Sequence, residues 1–173
     1  MIPKLSLIIS FYNKPDLLQR VLESVALQTM PNFEVVIADD GSKAEAVEQI
    51  ERMKKQFAFP IIHIWQEDDG WQKNRILNKA VVAARGEYLV FIDGDCLLER
   101  HFLEEHYAGR KQGEVVTGRR VLLTPRTTQQ LLAQSVSKNS FGVCLFFRLL
   151  GETLFRHQKT QMEQMIRLPQ WLR

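Results

Sequence analysis

Three groups of acidic residues follow three apolar, strand-like segments, at the point where each segment ends. They are Asp39 and Asp40, the run at 67–69 (Glu-Asp-Asp), and the pair Asp93 and Asp95. Carboxylates that lie close together repel one another unless a positive group sits among them. Oxygen ligands suit Mg²⁺ or Mn²⁺, and these ions usually bind substrate phosphates as well. The residues therefore indicate a divalent cation that holds a phosphate-bearing ligand.

The Asp93-Gly94-Asp95 segment has a spacing that suits such a site. In extended backbone, residues i and i+2 point to the same side, so one carboxylate can take the metal while the other orients water or a ribose. Gly94 has no side chain, which lets a diphosphate approach the backbone. Plainer alternatives stay open at the other two clusters: Asp39-Asp40-Gly41-Ser42 is also good turn chemistry, and 67–69 also fits a solvated loop.

Strands and helices alternate through the first two thirds of the chain. Apolar runs at 5–10, 33–38, 61–65 and 87–92 predict strands, and apolar residues at helical spacing predict a helix after each of the first three. Ser42 and Glu45 form a capping-box signature for the second helix, and Gly86 suits the end of the third. This order predicts a doubly wound, mostly parallel α/β sheet, in which ligands bind beyond the carboxyl ends of the strands.

The alternation ends near residue 124. A helix around 100–111 and a strand around 114–123 precede that point, and residues 127–137 and 152–167 have helical patterns. We therefore predict an α/β domain over 1–124 and a helical, basic region over 125–173.

Charge is distributed unevenly along the 173 residues. Residues 1–108 hold 12 lysines and arginines and 17 acidic residues, whereas 109–173 hold 11 and 3, so the net charges are −5 and +8. A basic region fits an anionic partner such as a membrane surface or a charged glycan, and also fits the solvated faces of surface helices.

The sequence also favours a cytoplasmic compartment. No signal-peptide pattern follows Met1, and the longest apolar stretch, at 141–150, is far shorter than the ~20 residues of a spanning helix. Cys96 and Cys144 form no disulfide framework, which predicts two free thiols in a reducing environment.

The motifs in their order resemble a known family. They are Ser10-Phe11-Tyr12-Asn13, the run from Val36 to Asp39-Asp40-Gly41-Ser42, the segment from Glu67 to Trp71, Asn78-Lys79-Ala80, and the run from Gly86 to Asp93-Gly94-Asp95-Cys96. Together they resemble the inverting family 2 glycosyltransferases with the GT-A fold. The similarity is strongest to the branch of chondroitin-polymerase-type and lipopolysaccharide- or capsule-building enzymes, and it covers about Leu5 to Leu123.

The resemblance implies a UDP-sugar donor, an acceptor that is a glycan or a lipid-linked sugar, and a role for each matching residue. Nucleotide contacts are implied for Ser10, Phe11, Tyr12, Asp39 and Asp93. A donor pocket is implied for Asp69, Gly70, Trp71, Arg75, Asn78 and Gly94. Asp95, with Asp93 as a second candidate ligand, would coordinate Mn²⁺ or Mg²⁺. No nucleic acid is implied as a partner, and the membrane contact would be peripheral, at the cytoplasmic face.

Two positions depart from the family pattern. Leu77 stands where this branch commonly carries an arginine, so that Arg75 is the residue expected to compensate. The later Trp-Gly-x-Glu-Asp-like stretch, whose acid serves as general base, has no counterpart, and the catalytic base therefore stays unknown. We expect a truncated chain that binds the donor and has weak or no transferase activity.

Other classes fit the sequence less well. A sugar-phosphate nucleotidyltransferase is the alternative enzyme, but Ser10-Phe11-Tyr12-Asn13 stands in place of its glycine-rich first loop. A dinucleotide dehydrogenase would carry G-x-G-x-x-G after the first strand. A nucleotide-sugar-binding module without turnover is the alternative outside the enzymes.

Overall fold

The computed structural model of the protein describes residues 2–118, 122–133 and 136. It divides into two compact units, Met1–Glu114 and Val115–Arg173. The sequence places that division later, after residue 124, because it predicts a strand around 114–123. The residues described in that stretch, 114–118 and 122–123, form no strand. In the part of the chain that the structure describes, no helix has the length and apolar character needed to cross a membrane.

The first unit is a four-stranded parallel sheet covered by helices. Its strands are β1 (Leu5–Phe11), β2 (Phe33–Asp39), β3 (Ile61–Trp65) and β4 (Tyr88–Asp93), and its helices are α1 (Pro15–Val25), α2 (Ala44–Lys54), α3 (Lys73–Ala83) and α4 (Phe102–Gly109). The strand order is β3-β2-β1-β4, and each neighbouring pair is parallel. The predicted parallel α/β sheet is therefore confirmed.

Alternation along the strands gives the sheet two apolar faces. Leu5, Leu7 and Ile9 of β1 lie in one buried cluster with the apolar residues of α1, α2 and α4. Ile8 lies in a second cluster on the other face, with Ile76 of α3. The two central strands are thus buried on both sides, which explains why they read as continuous apolar runs rather than as alternating ones.

The loop after β1 is tied to the start of α2 by Ser42. The predicted capping box at Ser42 and Glu45 is wrong, since α2 begins after Lys43 and has no side-chain cap. The Ser42 hydroxyl instead accepts a hydrogen bond from the Asn13 backbone N–H at 2.8 Å, and the Asn13 side chain accepts one from the Lys43 N–H at 2.9 Å. Ser42 thus bonds to a residue that is distant in the sequence instead of capping α2. The two hydrogen bonds hold the loop after β1 against the turn before α2, at the carboxyl ends of the strands.

Hydrogen bonds at the amino-terminal ends of the strands fix the start of β4. Buried Glu34 accepts hydrogen bonds from the Ser6 hydroxyl at 2.7 Å and from the Arg85 N–H at 2.6 Å. Gly86 does not end α3, which stops at Ala83. Gly86 is needed because a Cβ there would lie 2.5 Å from the backbone of Leu5. These contacts set the register in which the end of β4, Asp93, stands beside Ser10.

The second unit contains α5 (Pro125–Leu132). Thr124 caps this helix by accepting a hydrogen bond from the Thr127 N–H at 3.3 Å, and Pro125 occupies its first turn. The helix begins two residues before the predicted stretch 127–137. The predicted helix at 152–167, the apolar stretch 141–150 and Cys144 lie outside the described residues.

Candidate functional site

A cleft of about 460 Å³ lies at the carboxyl ends of the strands in the first unit. The loop after β1, the β3–α3 loop and the end of β4 form its walls. Its lining residues are Ser10, Phe11, Tyr12, Lys14, Asp40, Asp68, Gly70, Trp71, Lys73, Ile76, Asp93, Gly94 and Asp95. Residues that are far apart in the sequence thus meet where an open parallel sheet binds its ligands.

The Asp93-Gly94-Asp95 segment forms one end of the cleft. Asp93 is the last residue of β4, and its carbonyl accepts a hydrogen bond from the Cys96 N–H at 3.0 Å, which turns the chain. Gly94 passes close beneath the first strand, since a Cβ on it would lie 2.7 Å from the Ser10 carbonyl oxygen. Asp95 is exposed to solvent. The turn thus presents one partly buried and one exposed carboxylate to the same cleft.

These residues suit a divalent cation. Carboxylate oxygens of Asp93 and Asp95 and the Cys96 sulfur lie within 4.8 Å of one another, close enough to share one ion. The two carboxylates provide the hard oxygen ligands that Mg²⁺ and Mn²⁺ prefer. Cys96 was not predicted as a ligand. Burial, and then the negative charge of Asp95, raise the pKa of its thiol, so this sulfur is protonated at neutral pH.

Asp93 is held by two side chains through the same oxygen. Its Oδ1 accepts a hydrogen bond from the Ser10 hydroxyl at 3.0 Å and another from the Lys73 ammonium at 2.5 Å. Lys73 and Asp93 are both partly buried, with side-chain exposures of 33% and 41%. Lys73 is the first residue of α3, so the helix start brings a positive charge to the end of β4.

The adjacent residues Asp39 and Asp40 have different surroundings. Asp39 is completely buried; its carboxylate accepts the Ser42 N–H at 2.9 Å and lies 2.9 Å from His63 Nε2. Asp40 lines the cleft, and its carboxylate accepts Gln66 Nε2 at 2.6 Å and the Gln72 N–H at 3.0 Å. Asp40 therefore faces the cleft, whereas Asp39, to which the resemblance assigns the contact with the nucleotide base, is not among the lining residues.

The wall opposite β4 is formed by Tyr12 and the loop after β3. The Tyr12 hydroxyl donates a hydrogen bond to Asp68 at 3.0 Å, and this bond, together with the charge of Asp68, raises the pKa of the tyrosine. Asp68 packs on Gly41, where a Cβ would lie 2.5 Å from the Asp68 Cα. Trp71 follows in the same loop with 86% of its surface exposed, so its ring is available to a ligand.

The structure brings most, but not all, of the predicted site residues together. Ser10, Phe11, Tyr12, Gly70, Trp71, Asp93, Gly94 and Asp95 all line the cleft. Asp39, Asp69, Arg75 and Asn78 are not among its lining residues. Arg75 and Asn78 lie on α3 with exposed side chains, and Asp69 is exposed in the loop before it.

Sequence reasoning missed Lys14, Lys73 and Ile76 as lining residues, whereas Asp40 and Asp68 belong to the acidic clusters from which the cation site was predicted. The spacing of residues along α3 could have identified Lys73. Lys73 precedes Ile76 by three residues, which places it on the same face of the helix, one turn nearer the cleft.

The fold and the cleft define a GT-A-type α/β domain in which two carboxylates and a cysteine could hold a metal ion. The match to the Glycosyl transferase family 2 domain extends over residues 6–163, and the chain belongs to this family. Its curated relatives are glycosyltransferases. They include the cholesterol galactosyltransferase of Borreliella burgdorferi, 32% identical over 104 residues, and the poly(ribitol-phosphate) beta-glucosyltransferase of Bacillus spizizenii, 28% identical over 113 residues. These alignments cover 60% and 64% of this chain and 28% and 18% of the relatives.

Two solved structures with the same fold hold a nucleotide or a nucleotide sugar. S. aureus TarS 1–349 in complex with UDP is 27% identical, with a TM-score of 0.51 over 61% of this chain and 31% of that one. The mannosyltransferase PcManGT from Pyrobaculum calidifontis, in complex with GDP-Man and Mn²⁺, is 26% identical, with a TM-score of 0.50 over 56% of this chain and 29% of that one. The chain spans less than a third of the length of the curated relatives named above.

Proposed function

We propose that this chain carries the donor site of a metal-dependent glycosyltransferase that uses a UDP-sugar. The observation that supports this most is the meeting of Asp93 and Asp95 with the Ser10–Tyr12 loop in one cleft. A nucleoside diphosphate has an aromatic base, a ribose and two phosphates, and the cleft offers a matching group for each. It has aromatic and carboxylate groups at one end and a cation site at the other.

The nucleoside is assigned to the end of the cleft that the loop after β1 forms. Tyr12 is about half exposed there and offers an aromatic face, and the Asp40 carboxylate, fixed by two hydrogen bonds, offers an acceptor for a base N–H. An acceptor at that place suits uracil, whose ring carries an N–H. TarS 1–349, which has the same fold, has been solved with UDP and with UDP-GlcNAc, which supports uracil, while PcManGT with GDP-Man makes guanine the base that the experiment must exclude.

The phosphates are assigned to the end that Asp93-Gly94-Asp95 forms. Asp95, with Asp93, would hold the Mn²⁺ or Mg²⁺, and when bound this cation supplies the Lewis acidity that stabilises the departing diphosphate. Ser10 orients the Asp93 carboxylate, while Gly94 leaves room for a phosphate at the backbone. Trp71 lines the cleft and would contact the sugar or exclude water from it.

In the proposed reaction, the acceptor is a hydroxyl of a glycan or a lipid-linked sugar. Its oxygen attacks the anomeric carbon in line with the bond to the diphosphate, so that a single displacement inverts that carbon. No described residue is assigned as the base that takes the hydroxyl proton. A lipid-linked acceptor and the excess of basic residues after residue 108 would both suit an enzyme that acts at the cytoplasmic face of a membrane. We assign it to the synthesis of a cell-envelope polysaccharide.

Calorimetric titration of UDP into the 173-residue chain tests the donor site. Binding is expected with Mn²⁺ and not with excess chelator, because the carboxylates and the phosphates repel one another without the cation. GDP in place of UDP provides the control for the base. Equal affinity for GDP would overturn the uracil assignment, and equal affinity with chelator would overturn the metal assignment. Sugar release from UDP-sugars, followed in parallel, measures whether this chain turns the donor over.

A further inference from the structure

Lys73 forms an ion pair with the carboxylate that the cation site needs. Its Nζ lies 2.5 Å from Oδ1 of Asp93, and the Ser10 hydroxyl donates to that oxygen at 3.0 Å. A carboxylate oxygen has about two lone pairs, so these two donors together occupy Oδ1. A divalent cation that binds Asp93 through Oδ1 must therefore displace one of them.

Charge decides which donor leaves. Ser10 is neutral, so the cation does not repel its hydroxyl, which can keep its hydrogen bond to Oδ1. Lys73 carries a positive charge within hydrogen-bond distance of the oxygen that the cation would take, so the cation and the ammonium repel each other. Lys73 also lines the cleft, and its side chain is one third exposed, which leaves it room to move.

The position of Lys73 at the start of α3 determines which group its ammonium can bind after it leaves Asp93. It is the first residue of α3, whose first turn holds no acidic residue and whose N–H groups point toward the cleft end of the helix. A helix N-terminus attracts anions. A phosphate that arrives with the cation would bring to this place a new partner for the released ammonium.

We propose that Lys73 is an internal counter-ion of Asp93 that competes with the divalent cation and becomes a ligand of the donor diphosphate once the cation is bound. This rests on the proposed function, because it takes the cleft to bind a nucleoside diphosphate. Lys73 is a positioning and binding residue in this account. Its removal has two effects of opposite sign, tighter cation binding and weaker diphosphate binding.

The test compares Lys73→Met with the wild-type chain in two measurements. Mn²⁺ affinity without nucleotide is measured from the electron paramagnetic resonance signal of the free ion. It is expected to rise about fivefold in the variant, which is the scale of a partly exposed ion pair. UDP affinity at saturating Mn²⁺ is measured by calorimetry, and it is expected to fall about tenfold through loss of a charge-assisted hydrogen bond.

Two further variants separate this role from general charge and from folding. Lys79 lies on the same helix with an exposed side chain and is not among the cleft residues, so Lys79→Met removes an equal charge while leaving the Lys73–Asp93 pair intact. It should leave Mn²⁺ affinity within about twofold of wild type, given the small worth of exposed charges. Lys73→Arg keeps the charge and should restore Mn²⁺ affinity to near the wild-type value, which a merely misfolded cleft would not do.

The outcomes distinguish the two proposals. If the wild-type chain binds Mn²⁺ and UDP, and Lys73→Met binds Mn²⁺ with the same affinity, the proposed role of Lys73 is overturned. The proposed donor site is then unaffected. If Mn²⁺ binds to Lys73→Met and not to the wild-type chain, the competition between Lys73 and the cation is supported. The proposal that the wild-type chain binds the metal is then overturned. A loss of both affinities in Lys73→Met, or no Mn²⁺ binding by either chain, would overturn the competition.

Discussion

The carboxylate of Asp39 lies 2.9 Å from Nε2 of His63, and both side chains are buried beneath the cleft. The other Asp39 oxygen accepts a hydrogen bond from the Ser42 N–H, and the Ser42 hydroxyl accepts one from the Asn13 N–H. One buried carboxylate thus connects β3, the turn after β2 and the loop after β1. The contacts make Asp39 a residue that holds the cleft walls, and Asp40 is the neighbour that faces the cleft.

Asp39→Ala is expected to lower the free energy of unfolding by about 1–3 kcal/mol or more. The substitution leaves the buried Ser42 N–H and the His63 ring without their acceptor, and a buried unsatisfied polar group costs about that much. Urea denaturation measures the change. Asp69→Ala provides the control, because Asp69 is exposed and its loss should move the midpoint little. An unchanged midpoint in Asp39→Ala would show that the buried network is not structurally important.

Asp95→Ala is expected to weaken Mn²⁺-dependent UDP binding at least about tenfold, since it removes a hard anionic ligand from a site with few others. Asp95 is exposed, so its loss should leave the unfolding midpoint unchanged. Calorimetry with and without Mn²⁺ measures the effect. Glu87→Ala, which removes an exposed acid just before the start of β4, is the matched control for net charge. Normal binding by Asp95→Ala would contradict the metal assignment.

Gly94→Ala is expected to destabilise the protein by about 1–3 kcal/mol and to weaken UDP binding. Its Cβ would lie 2.7 Å from the Ser10 carbonyl oxygen, so the backbone that carries Asp93 and Asp95 must shift. Gly109→Ala is the control, since a Cβ at that position meets no atom within 4 Å. Both variants are compared by thermal unfolding and by UDP titration. If the two behave alike, the close approach of Gly94 to β1 does not constrain the site.

The stability of the chain is expected to fall below about pH 6.5, the ordinary pKa of histidine, partly through His106. Burial lowers the pKa of this imidazole, whose ring packs 4.4 Å from that of Phe102. Between the lowered pKa and about 6.5 the unfolded chain binds the proton more readily than the folded one. Stability therefore rises with pH through that window and is lost as the pH falls through it.

His106→Gln tests this origin. Urea midpoints of the variant and of the wild type are compared at pH 7.5 and at pH 5.5. The variant should lose less stability on acidification, because glutamine takes up no proton. An equal loss in the two chains would assign the acid sensitivity to other groups.

Much of the fold could be predicted from the sequence, because it depends on local patterns. Apolar runs of β-branched residues placed the four strands within about one residue of their ends, and the alternation with helices gave the parallel sheet. That sheet type then implied that the acidic clusters at the strand ends would meet at one edge. The element order thus predicted one shared edge for the acidic clusters, and the family resemblance added the Ser10–Tyr12 loop to the predicted site.

The tertiary structure decided which of these side chains face the cleft. The pattern Asp39-Asp40 cannot tell which carboxylate is buried, because the answer depends on the register that sets His63 beside Asp39. Ser42 had a local role in the sequence and a long-range partner in the fold, since Asn13 lies 29 residues away from it in the chain.

The contact between Lys73 and Asp93 belongs wholly to the tertiary structure. It needs the strand order β3-β2-β1-β4, which places β4 beside β1, and it needs α3 to begin at the same edge of the sheet. Neither follows from local propensity, because strand order is fixed by the packing of the whole domain. The sequence thus predicted a cation and phosphate site at this edge, and the packing of α3 against the sheet decided which positive charge lies beside Asp93.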